Sequence, residues 1–130
     1  MVSRFEDLDI WKFSRELCKD IYNITHFEPF NKDFRFRDQI RAAAGSIMDN
    51  IAEGYERNGN KELMQFLYIA KGSCGEVRSQ LYRALDNNYI NEAEFNLLYE
   101  KGLNLSKSIF GFISYLKKSE MDGIKYKKHN

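Results

Sequence analysis

The chain is 130 residues long, 43% hydrophobic and 30% charged, with a formal net charge of +1. That length and balance describe one ordinary globular domain with a real core, and exclude a disordered chain. No apolar run approaches the length of a membrane span, and a charge near neutrality argues against a nucleic-acid binder acting through its whole surface.

The opening Met1-Val2-Ser3-Arg4-Phe5-Glu6-Asp7 lacks the apolar stretch of a signal peptide, so a cytoplasmic location is expected. Cys18 and Cys74 are the only cysteines, each beside apolar neighbours in a helical pattern. Two buried thiols are expected rather than a disulfide.

Apolar residues then recur at steps of three and four along four successive segments. In the first, Ile10, Phe13, Leu17, Ile21 and Ile24 share one helix face, widened by Trp11, Cys18 and Tyr22, and Pro29 marks where the pattern stops. The second runs through Phe36, Ile40, Ala44, Ile47, Ile51 and Tyr55, then closes at Arg57-Asn58-Gly59-Asn60. The third is Leu63, Leu67, Ala70, Cys74, Val77, Leu81 and Leu85, broken by Asn87-Asn88. Asn91 with Glu94 three residues on has the pattern of a capping box. The fourth segment follows as Phe95, Leu98, Gly102, Leu105, Ile109, Phe112 and Leu116.

No segment alternates with the period of two that a strand needs. Short loops between helices of roughly 20 to 27 residues make sequential neighbours antiparallel. The expected fold is therefore all-α, an up-down-up-down four-helix bundle over residues 1–118. Residues 119–130 form a polar, basic and frayed C-terminal tail.

Fixing the core stripe fixes the flanks. Beside the core of the second helix lie Gln39, Ala43, Ser46, Asn50, Glu53 and Arg57; beside that of the third lie Ser73, Glu76, Gln80, Arg83 and Asn87. Two stripes rich in amides and hydroxyls on consecutive helices point to a polar network at a subunit interface. A solvated flank with i,i+4 pairs such as Glu53–Arg57 is the plainer alternative. The opposite flank of the third helix, with Lys61, Met64, Tyr68, Lys71, Gly75, Arg78 and Tyr82, interleaves cations and tyrosines. Such a face can track phosphates and stack bases, or can pack long side chains over an apolar rim.

Chemistry finds little support. His26 and His129 are the only histidines, Glu-x-x-His is missing, and neither cysteine has a metal-ligand neighbour at useful spacing. Gly72 and Gly75 fall inside a helical pattern, which is no place for a phosphate loop. Neither enzymatic activity nor a cofactor is expected.

Asp38-Gln39-Ile40-Arg41, Ser46-Ile47, Asn50-Ile51-Ala52-Glu53-Gly54, Phe66-Leu67, Ala70 and Gly72-Ser73 through Glu76 resemble the 23S rRNA intervening sequence proteins, and the first helix agrees through Trp11, Ile21-Tyr22, Thr25 and Phe27. The resemblance covers roughly residues 5–117. It implies an antiparallel four-helix bundle assembling into a homopentameric ring, with an RNA or protein partner, and no catalytic residues. A similar bundle is the accessory protein of diversity-generating retroelements, which binds a reverse transcriptase and nucleic acid. The motif residues Gln39, Arg41, Ser46, Asn50, Glu53, Gly54, Ser73 and Glu76 transfer, most of them on the polar stripes. Ala42 and Met48 depart from the family, which often has an arginine and a proline there; the lost charge weakens an RNA-binding analogy.

Overall fold

The computed structural model describes the backbone of residues 2–129 and the side chains of residues 2–123. A 3₁₀ turn at Phe5–Asp7 leads into α1 (Asp9–Ile24). A second 3₁₀ turn at Phe30–Lys32 precedes α2 (Phe34–Glu56), followed by α3 (Asn60–Asp86) and α4 (Glu92–His129). No strand occurs among the described residues.

The helix ends follow the local sequence. Asp33 caps α2, its carboxylate accepting from the Phe36 amide at 3.3 Å. α2 and α3 each end on an asparagine in the left-handed region, Asn58 at φ 61° and Asn88 at φ 59°. After α3 the Tyr89 amide returns to the Ala84 carbonyl at 2.9 Å and that of Asn88 to Leu85 at 3.0 Å, the paired bonds of a Schellman ending. The capping box expected at α4 is present: the Asn91 amide donates to Glu94 Oε1 at 2.9 Å, and the Glu94 amide to Asn91 Oδ1 at 2.8 Å.

Side chains meet across the helices in opposite order. Between α2 and α3, Phe36 meets Arg83, Ser46 meets Ser73, and Gly54 meets Phe66. Between α3 and α4, Tyr82 meets Phe95, Arg78 meets Tyr99, and Lys71 meets Phe110. Rising numbers on one helix pair with falling numbers on the next, as in an antiparallel pair. A Cβ on Gly54 would sit 2.6 Å from Phe66 Cβ, so only glycine allows the close approach of α2 and α3 there.

The core is continuous from Leu8 to Leu116, with Ile21, Phe30, Ile40, Ile47, Ile51, Leu67, Leu81, Ile109 and Ile113 fully enclosed. Three expectations need correcting. Phe13 and Tyr22 do not face the core: they are 51% and 49% exposed, and the buried face of α1 is Ile10, Ser14, Leu17 and Ile21. Ser14 can be buried because its hydroxyl donates to the Ile10 carbonyl at 2.6 Å. In α4 the inward position is Ile113 and Phe112 is half-buried, the drift a 3.6-residue helix shows against a repeat of seven.

The third correction concerns length. α1 spans 16 residues, and α4 spans 38 and continues through 119–129, where a frayed tail was expected. Residues 117–123 contain no proline and a single glycine, so nothing stops the helix. None of them is buried, so Leu116 is the last core residue among those described. No helix among the described residues is long and apolar enough to cross a membrane.

Candidate functional site: the polar groove between α2 and α3

The polar stripes of α2 and α3 meet in one open groove of about 440 Å³. Gln39, Ser46, Ser73, Glu76, Gln80 and Arg83 line it, with Ala42, Ala43 and Ser79. At one end of it the Ser73 hydroxyl donates to Ser46 Oγ at 3.0 Å. Asn50 Nδ2 donates to the same oxygen at 2.9 Å and to the Ser46 carbonyl at 2.7 Å. Small side chains allow this: two serines facing each other bring the helices close enough for a direct hydroxyl pair.

Burial grades along the groove. Ala43 and Gln80 are each 5% exposed, Ser46 and Ser73 are half-buried, and Gln39 and Glu76 are exposed, while half-buried Asn50 and exposed Glu53 and Arg57 continue the α2 stripe beyond the groove's lining. Gln80 Nε2 donates to Glu76 Oε2 at 3.3 Å, while Gln80 Oε1 is buried with no donor. Glu53 is held only by Arg57 at 3.1 Å, with both side chains more than half exposed. An exposed pair of that kind contributes at most a few tenths of a kcal/mol, roughly 0.3–0.5.

Arg83 closes one end of the groove, its guanidinium 4.3 Å from the Phe36 ring centroid. Phe36 stacks on Phe30 at 5.1 Å, and Tyr89 covers both while its hydroxyl donates to Asp33 Oδ2 at 2.8 Å. That bond holds the Tyr89 phenol above its usual range. This aromatic plug was not anticipated, because Phe30 sits in a loop outside any periodic pattern. The signal was three bulky residues, Phe30, Phe34 and Phe36, around the capping Asp33.

Arg41 does not join the groove. It lies on the flank of α2 that meets α1, donating from Nε to Thr25 Oγ1 at 2.8 Å and resting 4.6 Å from the Tyr22 ring centroid. Thr25 Oγ1 in turn donates to the Ile21 carbonyl at 2.7 Å. Arg41 and Thr25 thus tie the end of α1 to α2.

The cation and tyrosine face of α3 lies against α4 as a ladder. Tyr82 packs on Phe95 at 4.8 Å and Tyr99 at 5.5 Å; Arg78 lies 6.0 Å from Tyr99, Lys71 5.8 Å from Phe110, and Lys117 5.3 Å from Tyr68. Tyr68 and Tyr82 remain 44% and 49% exposed. Lys61, at the start of the stripe, has no ion pair or ring partner among the described residues.

Neither thiol is poised as a nucleophile. Burial pushes Cys74 up to about 11, and its S–H donates to the Gly102 carbonyl at 3.0 Å. Burial, then the Asp49 carboxylate, raises Cys18 as well. Among the described residues no cluster of three or more His, Cys, Asp or Glu side chains is placed to hold a metal ion.

The fold has a counterpart among solved structures. A crystal structure of a protein of unknown function from the S23 ribosomal protein family of Bacteroides thetaiotaomicron VPI-5482 superposes with a TM-score of 0.73 at 21% identity. The alignment covers 80% of this chain and 97% of that one, and at this identity it speaks for the fold alone. Among curated proteins, none matches the chain in sequence. The sequence pattern of the 23S rRNA-intervening sequence proteins matches residues 6–124. With that match spanning all four helices, the chain belongs to the 23S rRNA-intervening sequence protein family.

Proposed function

We propose that this protein is a non-enzymatic, homo-oligomeric scaffold whose subunits meet through the polar stripes of α2 and α3, the groove between them included. The observation that carries the reading is the groove's composition. Hydroxyls, amides, a carboxylate and a guanidinium gather along a contact between two helices, and one buried amide oxygen there has no donor among the described residues. A merely solvated flank favours long charged side chains, whereas a polar network buried by a partner selects one register. Raised thiols support a role without catalysis. A head-to-tail contact between different surfaces closes a ring, and the family resemblance implies five subunits.

Light scattering on the Asn50→Ala/Glu53→Ala variant tests the reading. A shift of the particle toward monomer is expected; full assembly at the wild-type mass would overturn it.

A second reading, binding of RNA, is favoured by the α3–α4 ladder. There, half-exposed Tyr68 and Tyr82 stand beside Lys71, Arg78 and Lys117. It predicts affinity that falls steeply with salt and drops in Lys71→Ala/Arg78→Ala. No binding at low salt would remove it.

A further inference from the structure

The middle of the groove has acceptor capacity that no neighbour among the described residues fills. Gln80, 5% exposed, spends its amide N–H on Glu76 and keeps Oε1 buried and unpaired. Glu76 is exposed and has no cation within ion-pair distance among the described residues. The cation lining the groove, Arg83, rests over the Phe36 ring and makes no ion pair with Glu76. The centre of the groove therefore suits an incoming cationic donor, and the planar fork of a guanidinium matches a carboxylate and an amide oxygen side by side.

The chain carries such donors on another surface. Lys12, Arg15 and Lys19 recur at steps of three and four on the outermost face of α1, and all three are exposed. None is in an ion pair among the described residues, and Arg15 only rests 5.8 Å from the Trp11 ring centroid. α1 contributes nothing to the groove, so the cationic stripe and the Glu76–Gln80 acceptors lie on separate surfaces of one chain, as a head-to-tail contact requires.

We propose that the α2–α3 groove receives the Lys12–Arg15–Lys19 stripe of a second copy, with the incoming Arg15 guanidinium bridging Glu76 and Gln80. The proposal rests on the assembly reading above. The terminal torsion of Gln80 is broad, so its amide can turn Oε1 toward the entering donor. Lys12 and Lys19, one helical turn to either side, flank the contact and give it salt sensitivity.

Charge reversal tests it. Glu76→Arg, Arg15→Glu and the double variant are compared with wild type by light scattering across a range of concentrations. Circular dichroism confirms that each is folded, since both positions are exposed. Each single variant should need at least tenfold more protein to assemble, and the double variant should recover most of that loss. Singles that assemble like wild type overturn the pairing and leave the scaffold reading standing. Dissociation in the singles without recovery in the double also overturns it. A wild-type protein that is monomeric at every concentration overturns the scaffold reading itself, and this proposal with it.

Discussion

Ser73 on α3 donates its hydroxyl proton to Ser46 on α2 across 3.0 Å, and Asn50 Nδ2 reaches the same oxygen at 2.9 Å. One small side chain thus serves as acceptor for two others from two helices. Because all three are half-buried, the network is only partly replaceable by water. Ser46→Ala should lower unfolding free energy by about 1 kcal/mol, and Ser73→Ala by somewhat less, read from urea midpoints. The double variant should cost less than the sum of the two, with a coupling of about 0.5 kcal/mol or more. Strict additivity would mean that the hydroxyl pair adds nothing.

The buried face of α1 makes a paired prediction. Leu17 is 1% exposed and Phe13 is 51% exposed, although the two are four residues apart and look alike in a hydrophobicity pattern. Leu17→Ala should cost about 2–5 kcal/mol through a cavity. Phe13→Ala should change stability by no more than about 0.5 kcal/mol. Thermal melts of both variants decide it; equal losses would put Phe13 back in the core.

Those two residues also show how far sequence reading carried. Four helices, their breaks at Pro29, Asn58 and Asn88, and the capping box at Asn91 and Glu94 were legible because each rests on local chemistry within a few residues. The polar stripes of α2 and α3 were legible because helical periodicity fixes angles. What periodicity cannot supply is which neighbour a flank meets. Arg41 belongs by sequence motif with Gln39 and Ser46, yet its angle turns it to Thr25 on α1. Tyr68, Lys71, Arg78 and Tyr82 fit either a nucleic-acid face or side chains packed over an apolar rim, and contacts from α4 lie along their inner edge. Phe30 was invisible as core because a loop has no period. The length of α4 was misjudged because polar composition suggests fraying, while helix propensity among Lys, Glu and Met remains good.

Cys74 gives the fold a pH dependence. Its thiol is fully enclosed, and burial lifts it to about 11 against the partial counteraction of Arg78 and Lys71. An unfolded cysteine releases its proton near pH ~8.5. Above that pH the unfolded chain binds fewer protons than the folded one, so stability falls as pH rises toward about 11. Below it the thiol contributes its full share. Cys74→Ala removes this slope while adding a cavity cost that is the same at every pH. Urea midpoints from pH 7 to 10.5 should therefore converge for wild type and variant on the alkaline side. Parallel curves would show that the thiol ionises as readily folded as unfolded.

The end of the bundle is set by packing rather than by where the helix stops. Leu116 is 5% exposed and is the last residue in the core, whereas Met121, little more than one turn further along the same helix, is 61% exposed. Both sit in α4, and both are good helix formers, so propensity cannot separate them. Burial can. Leu116→Ala should lower stability by about 2 kcal/mol or more, which for a domain of this size moves the thermal midpoint by several degrees, roughly 4–8 °C per kcal/mol being the range for smaller domains. Met121→Ala should stay within about 0.5 kcal/mol of wild type, since alanine keeps the helix and no enclosed contact is lost. A large loss at Met121 in dilute monomer would mean that the projecting turns of α4 fold back onto the bundle. A loss that appears only at concentrations where the protein assembles would instead place Met121 in a contact between copies. With the two positions measured at low and high protein concentration, the boundary between what holds one subunit together and what is left for another becomes a matter of four midpoints.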